Sequence, residues 1–160
     1  METRDIVIVG GGSAGLATAA LLRQQGLNPL VLESGSEPGA AWRSRYDRLR
    51  LHTPRLLSGL PGMRIPRRFG RWVARDDLIE YFRRYVESNY LEVRTGARVA
   101  RIEPDGPAWR IETEQGPIRA DDVIVATGYN GAPFIPAWPG RDGFAGELIH
   151  SSEYLNPAPF

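Results

Sequence analysis

The chain has 160 residues, with 20 basic and 19 acidic side chains, two histidines and no cysteine. Such a length buries roughly 70% of the unfolded surface, enough for one real core, so one main domain is expected. A net charge of +1 supplies no global field to attract nucleic acid or a membrane, and the lack of cysteine removes disulfides, thiolate metal sites and dithiol redox chemistry.

The first element is an apolar strand, Asp5-Ile6-Val7-Ile8-Val9, reached too early to leave room for a signal peptide. No apolar run approaches membrane-span length, so a cytoplasmic protein is the expectation. Gly10-Gly11-Gly12-Ser13-Ala14-Gly15 follows, and a helix is predicted over Ser13 to Gln25, closed by Gly26. Gly10, Gly12 and Gly15 fit G-x-G-x-x-G in its required setting between strand and helix. Gly10 permits the tight turn, Gly12 leaves room for a pyrophosphate, and Gly15 lets the helix pack close to the strand. The free N–H groups of residues such as Ser13 and Ala14, aided by the helix dipole, would hold a diphosphate.

Asn28 to Glu33 reads as the second strand, ending in an acid eighteen residues after Gly15. That spacing is close to the roughly twenty expected for a carboxylate that accepts ribose hydroxyls. A carboxylate there disfavours a 2′-phosphate, so NADP is not expected at this site. A tight turn followed by a solvated acid is the ordinary alternative, outweighed by strand, glycines, helix, strand and acid in order.

From Ser34 to Arg75 the chain is rich in Gly, Pro and Arg, a long excursion of the kind that is functional or poorly ordered. Within it Arg64, Arg67, Arg68, Arg71 and Arg75 interleave with Phe69 and Trp72; a solvated face or a contact with further polypeptide is favoured over a phosphate or nucleic-acid site. Asp76 or Asp77 is expected to cap a structural helix running to about Asn89, with Leu78, Ile79, Phe82, Tyr85 and Val86 at helical spacing. Strands are predicted at Leu91 to Arg94, Ala97 to Ile102, Trp109 to Thr113 and Pro117 to Ala120, an antiparallel meander inserted into an α/β chain. Val123 to Ala126 then returns as a buried strand leading into Thr127-Gly128. Beyond Gly128 the prolines at 133, 136, 139, 157 and 159 mark a connecting segment.

These residues together resemble the flavin-containing monooxygenases and their Baeyer-Villiger relatives, the class B flavoprotein monooxygenases. The resemblance rests on the Gly10 to Gly15 fingerprint with Glu33, on Gly39-Ala40-Ala41-Trp42 followed by Tyr46 to Pro54, and on Ala126-Thr127-Gly128. The most discriminating motif is Phe144-Ala145-Gly146-Glu147-Leu148-Ile149-His150-Ser151, similar to F-x-G-x-x-x-H-[ST]. The implied fold is α/β, a Rossmann-like FAD/NAD(P)-binding domain with a parallel sheet plus an antiparallel β-meander. Residues 1–130 would form an incomplete FAD-binding domain, and 131–160 a linker toward an NADPH-binding domain, with His150 anchoring that linker to the first domain.

The resemblance implies FAD as cofactor, contacted by Gly10, Gly12, Ser13, Ala14, Gly15, Glu33, Ser34, Ala41, Trp42, Arg43, His52, Val99, Ala126, Thr127 and Gly128. Trp42 is equally readable as a core aromatic, Arg43 as an exposed arginine and His52 as a structural histidine. Ala40 stands where the family has a second glycine, so a steric cost is expected if that backbone needs positive φ. In a full-length relative NADPH would reduce FAD and O₂ would oxygenate a small molecule, chemistry carried by the flavin. No catalytic residue is assigned, and no metal site is expected because His52 and His150 lack ligand spacing. The sequence ends at Phe160, ahead of a second fingerprint, so no NADPH turnover is expected from this chain alone. Self-association, or a partner supplying the NADPH-binding domain, is expected instead. A non-catalytic flavin- or nucleotide-binding module and a simple NAD-linked dehydrogenase are the alternatives.

Overall fold

The computed structural model describes residues 1–129 and 131–160. Its elements are β1 (Glu2–Val9), α1 (Ser13–Gln24), β2 (Leu30–Leu32), α2 (Ala40–Arg43), α3 (Arg75–Ser88), β3 (Glu92–Arg94), β4 (Val99–Asp105), β5 (Ala108–Thr113) and β6 (Ile118–Val125). They form one sheet in the order β3-β2-β1-β6-β5-β4, parallel from β3 to β6 and antiparallel from β6 to β4. This is the α/β sheet with a meander that the sequence implies. The expected domain boundary at residue 130 falls on Asn130, which lies outside the described residues.

The continuous apolar end of β1 is explained by burial on both faces. Because side chains alternate along a strand, Ile6 and Ile8 join a core with Leu16, Ala19 and Ala20 of α1 and Leu78, Tyr81, Phe82 and Tyr85 of α3. Val7 and Val9 join a second core with Leu30, Leu32, Ala97, Ile111, Ile118 and Ala120. The helices therefore cover one face of the sheet and the β4-β5 end the other.

Several expectations are corrected. The strand predicted at Leu91 to Arg94 is not part of the meander: β3 pairs in parallel with β2, Val31 opposite Val93, at the far edge of the sheet. Pro117 to Ala120 and Val123 to Ala126 are not two strands but the single β6. The Asp121-Asp122 pair between them reads as a break, yet β6 runs through it because it is laddered on β1, Ile6 opposite Asp122. Nor is its end buried, since Val125 is 64% exposed. Antiparallel pairing with β5 stops at Ala120, so residues 121–125 have β1 on one side and no strand on the other among the described residues. Helix α3 is capped by Ala74 without a side-chain bond; Asp76 and Asp77 sit in its first turn, where the macrodipole favours acids.

The excursion after β2 is folded onto α3. Tyr81 Oη accepts the Leu60 N–H at 2.7 Å and donates to the Met63 carbonyl at 2.6 Å, while Tyr85 Oη donates to the Pro61 carbonyl at 2.8 Å. Ile65, Phe69 and Val73 enter the core beneath it. After Gly131 one 3₁₀ turn, Arg141–Gly143, is the regular structure among the described residues. This tail is tied back at Asp47, whose N–H donates to the Leu155 carbonyl at 2.9 Å and whose Oδ2 accepts from Asn156 Nδ2 at 2.9 Å. His150 is not among the groups hydrogen-bonded to Asp47; its Nδ1 bonds Ser152 within its own turn.

Candidate dinucleotide site

Three motifs converge where β1, β2 and β6 end. Gly10 takes φ +114°, and a Cβ built there would lie 2.4 Å from the Ala126 carbonyl oxygen, so the fingerprint and the Ala126-Thr127-Gly128 turn touch backbone to backbone. The Ala126 N–H continues the ladder to the Val9 carbonyl at 2.8 Å. A Cβ on Gly15 would meet the Gly10 carbonyl oxygen at 1.9 Å, which makes this glycine the one that seats α1 against the turn. At Gly12 nothing lies within 4 Å of that position. Its space is open, as a cradle for a bulky anion requires.

Gly12 is the N-cap of α1 and makes no side-chain cap bond. Ser13 and Ala14 are exposed, and the N–H groups of Gly12, Ser13, Ala14 and Gly15 have no hydrogen-bond partner among the described residues. Four unpaired donors at a helix N-terminus form an anion site by geometry and dipole alone.

Glu33, 8% exposed, is the buried charged residue at this edge. Its Oε2 accepts the Gly11 N–H at 2.9 Å, and its Oε1 accepts the Gly35 N–H at 2.7 Å and Ser34 Oγ at 3.3 Å. An ionised carboxylate offers about four acceptor positions, so capacity remains for ribose hydroxyls. The Ala97 N–H donates to the Glu33 carbonyl at 2.9 Å and the Gly96 N–H to the Gly35 carbonyl at 2.8 Å, drawing the start of β4, with Val99, toward the same edge.

The residues expected beside a flavin gather separately. Gly39 donates its N–H to the Gly11 carbonyl at 2.8 Å, which fixes α2 beside the fingerprint. Trp42 packs on the core and, with Leu49, Arg50, Leu51, His52 and Thr53, lines a shallow cleft of about 220 Å³. Ala41 is exposed on the same helix. Arg43 is turned elsewhere: Glu37 holds its Nε at 2.9 Å and Asp76 its Nη1 at 3.0 Å, and the bond to Glu37 pushes its pKa further up.

The steric cost expected at Ala40 is absent. Gly39 carries the positive φ, +75°, and Ala40 simply opens α2, its Cβ against Gly35. A Cβ on Gly39 would meet Phe82 Cδ2 at 2.4 Å. Gly11 and Gly35 thus shape this edge beyond the residues read from the sequence, and Gly39, read there only as part of a motif, is the glycine that the backbone requires; the uninterrupted Gly10-Gly11-Gly12 run was the one signal for Gly11.

A family model described as pyridine nucleotide-disulphide oxidoreductase matches residues 7–160. The chain belongs to that family. Its similar proteins include flavin monooxygenases, each matched over part of its length. It is 37% identical over 158 residues to an indole-3-pyruvate monooxygenase, YUCCA1, of Oryza sativa subsp. japonica, covering 96% of this chain and 39% of the relative. A flavin-containing monooxygenase from Stenotrophomonas maltophilia superposes with a TM-score of 0.93 at 35% identity, covering all of this chain and 49% of that one. Cyclohexanone monooxygenase superposes over 96% of this chain and 32% of its own, with a TM-score of 0.75 and 26% identity. The chain spans less than half the length of these relatives. With no cysteine in its 160 residues, it carries none of the disulphide chemistry in the family's description.

Proposed function

We propose that this chain is the FAD-binding portion of a flavin-dependent monooxygenase. The observation that carries the reading is the row of unpaired N–H groups on Gly12, Ser13, Ala14 and Gly15, with open space at Gly12, next to Gly11, which the buried Glu33 holds. These residues fit the ADP half of FAD: the N–H groups take the diphosphate, Glu33 the ribose hydroxyls, and Val99 the adenine side. Ser34 lies next to the ribose. Ala126, Thr127 and Gly128 flank the diphosphate across Gly10, and Ala41, Trp42 and His52 border the flavin ring. Arg43 acts through its ion pairs, holding α2 in place.

Bound FAD would supply hydride acceptance and activation of O₂; the chain's own residues bind, orient and partly shield it. Relatives named for indole-3-pyruvate and for cyclohexanone share this portion, so the likeness by itself assigns no substrate. NADPH would be held by a domain beyond these residues, toward which 131–160 leads. The open edge of β6 at 121–125 and exposed Tyr129, Phe134 and Phe144 favour cover by further polypeptide or a partner, self-association being the outcome without one.

The test is a visible absorption spectrum after incubation with FAD and removal of free flavin. Retained flavin bands are expected from the wild type and not from Gly12→Ala, with no sustained NADPH oxidation by the chain alone. A wild type that stays colourless at saturating FAD overturns the reading.

A further inference from the structure

The net charge of +1 conceals a strong segregation. Between Arg48 and Arg75 the sequence holds eight arginines and no acid, leaving the rest of the chain net acidic. The fold brings part of this run together with apolar side chains. The Arg55 N–H donates to the Arg71 carbonyl at 2.8 Å and Arg55 Nε to the Gly70 carbonyl at 3.1 Å, so the turn Arg55–Leu57 lies against the segment Gly70 to Trp72. Arg64 joins Arg55 and Leu56 around a shallow depression of about 190 Å³.

Leu56 and Leu57 project from this turn 76% and 79% exposed, and Trp72 is 42% exposed. Arg64, Arg67 and Arg71 meet no carboxylate among the described residues, whereas Arg68 pairs with Glu80 at 3.0 Å. The surface is firmly mounted, with Ile65, Phe69 and Val73 buried beneath it and Tyr81 bonded to Leu60 and Met63.

We infer that this arginine-rich face docks on an anionic lipid surface, with Leu56 and Leu57 entering the headgroup layer. Guanidinium groups without a carboxylate partner on the same segment as exposed leucines and a half-exposed tryptophan match an interface that is anionic outside and apolar within. Nucleic acid fits less well. Phe69 is buried, and the Trp72 ring is already covered by Arg71 at 5.2 Å, so no free stacking platform is offered and the leucines would have no role.

Co-sedimentation of the 160-residue chain with vesicles tests this, comparing phosphatidylcholine alone with a mixture containing phosphatidylglycerol, at low and high salt. Binding is expected only to the anionic vesicles and is expected to weaken with salt. Losing roughly fivefold per arginine, R67E/R71E falls on the order of 25-fold or more. The charge-neutral L56S/L57S falls roughly tenfold or more. R98E/R101E changes net charge equally at the start of β4 and leaves binding in place, and circular dichroism confirms that each variant is folded. Equal binding to both vesicle types overturns the proposal, as does full binding by L56S/L57S together with binding to a single-stranded oligonucleotide, the mark of a general polyanion face. No flavin is present in the assay, so its result is independent of the flavin reading.

Discussion

The N–H of Gly11 and the carboxylate of Glu33, twenty-two positions apart, meet at 2.9 Å. This bond locks the end of β2 to the fingerprint turn, and with the Gly35 N–H on the other oxygen it fixes the carboxylate before any ligand arrives. Glu33→Gln keeps the side chain's size but loses its charge and one acceptor. Hydrogen bonds to charged groups contribute roughly 1.5–3 kcal/mol, so FAD affinity is expected to fall about ten- to hundredfold by fluorescence titration. Unchanged affinity would remove Glu33 from the ribose.

Two neighbouring glycines should separate binding from folding. Gly12→Ala places a methyl in the open cradle, so FAD affinity drops by roughly ten- to hundredfold, the equivalent of about 1–3 kcal/mol of overpacking, while the lost cap preference costs under about 1 kcal/mol of stability. Gly15→Ala drives a Cβ into the Gly10 carbonyl and lowers the thermal midpoint even without ligand. Parallel melts and titrations check both; equal loss of stability in the two variants contradicts the division.

The fingerprint, Glu33 and the turn at Ala126 were legible because each is a local pattern whose role is set by its own strand end. What sequence reading missed depends on distant partners. Whether Gly39 or Ala40 must bend is decided by Phe82 of α3, and Arg43 is claimed by Asp76, thirty-three positions away. Pro117 to Ala120 and Val123 to Ala126 read as two strands until β1 is laid beside them. Leu91 to Arg94 looks like the meander's first strand until α3 carries it to the edge of β2.

Tyr81 holds the long excursion on α3 through both roles of one hydroxyl. Tyr81→Phe leaves the Leu60 N–H and the Met63 carbonyl unpaired and should cost about 1–3 kcal/mol in urea unfolding. Proteolysis should then begin between Ser58 and Arg64. Unaltered stability and cleavage would show that the loop is held by its apolar residues alone.

At the opposite end of β1, Glu2 bonds Arg94 and Arg4, and these guanidinium groups lower its pKa from 4.5 to about 2. Because the folded value lies below the unfolded one, its contribution is complete above about pH 4.5 and is lost as pH falls toward 2. Glu2→Gln should flatten the acid limb of stability against pH, as followed by unfolding at several pH values. An acid limb identical to the wild type would exclude this cluster.

The most direct test of the central claim is equilibrium competition for the wild-type chain among FAD, NAD and FMN. With the ADP moiety in the proposed site and the flavin toward the cleft at Trp42, FAD should bind with one-to-one stoichiometry, tighter than NAD, and FMN should compete poorly. NAD binding tighter than FAD would contradict the assignment and return the chain to the dehydrogenase reading.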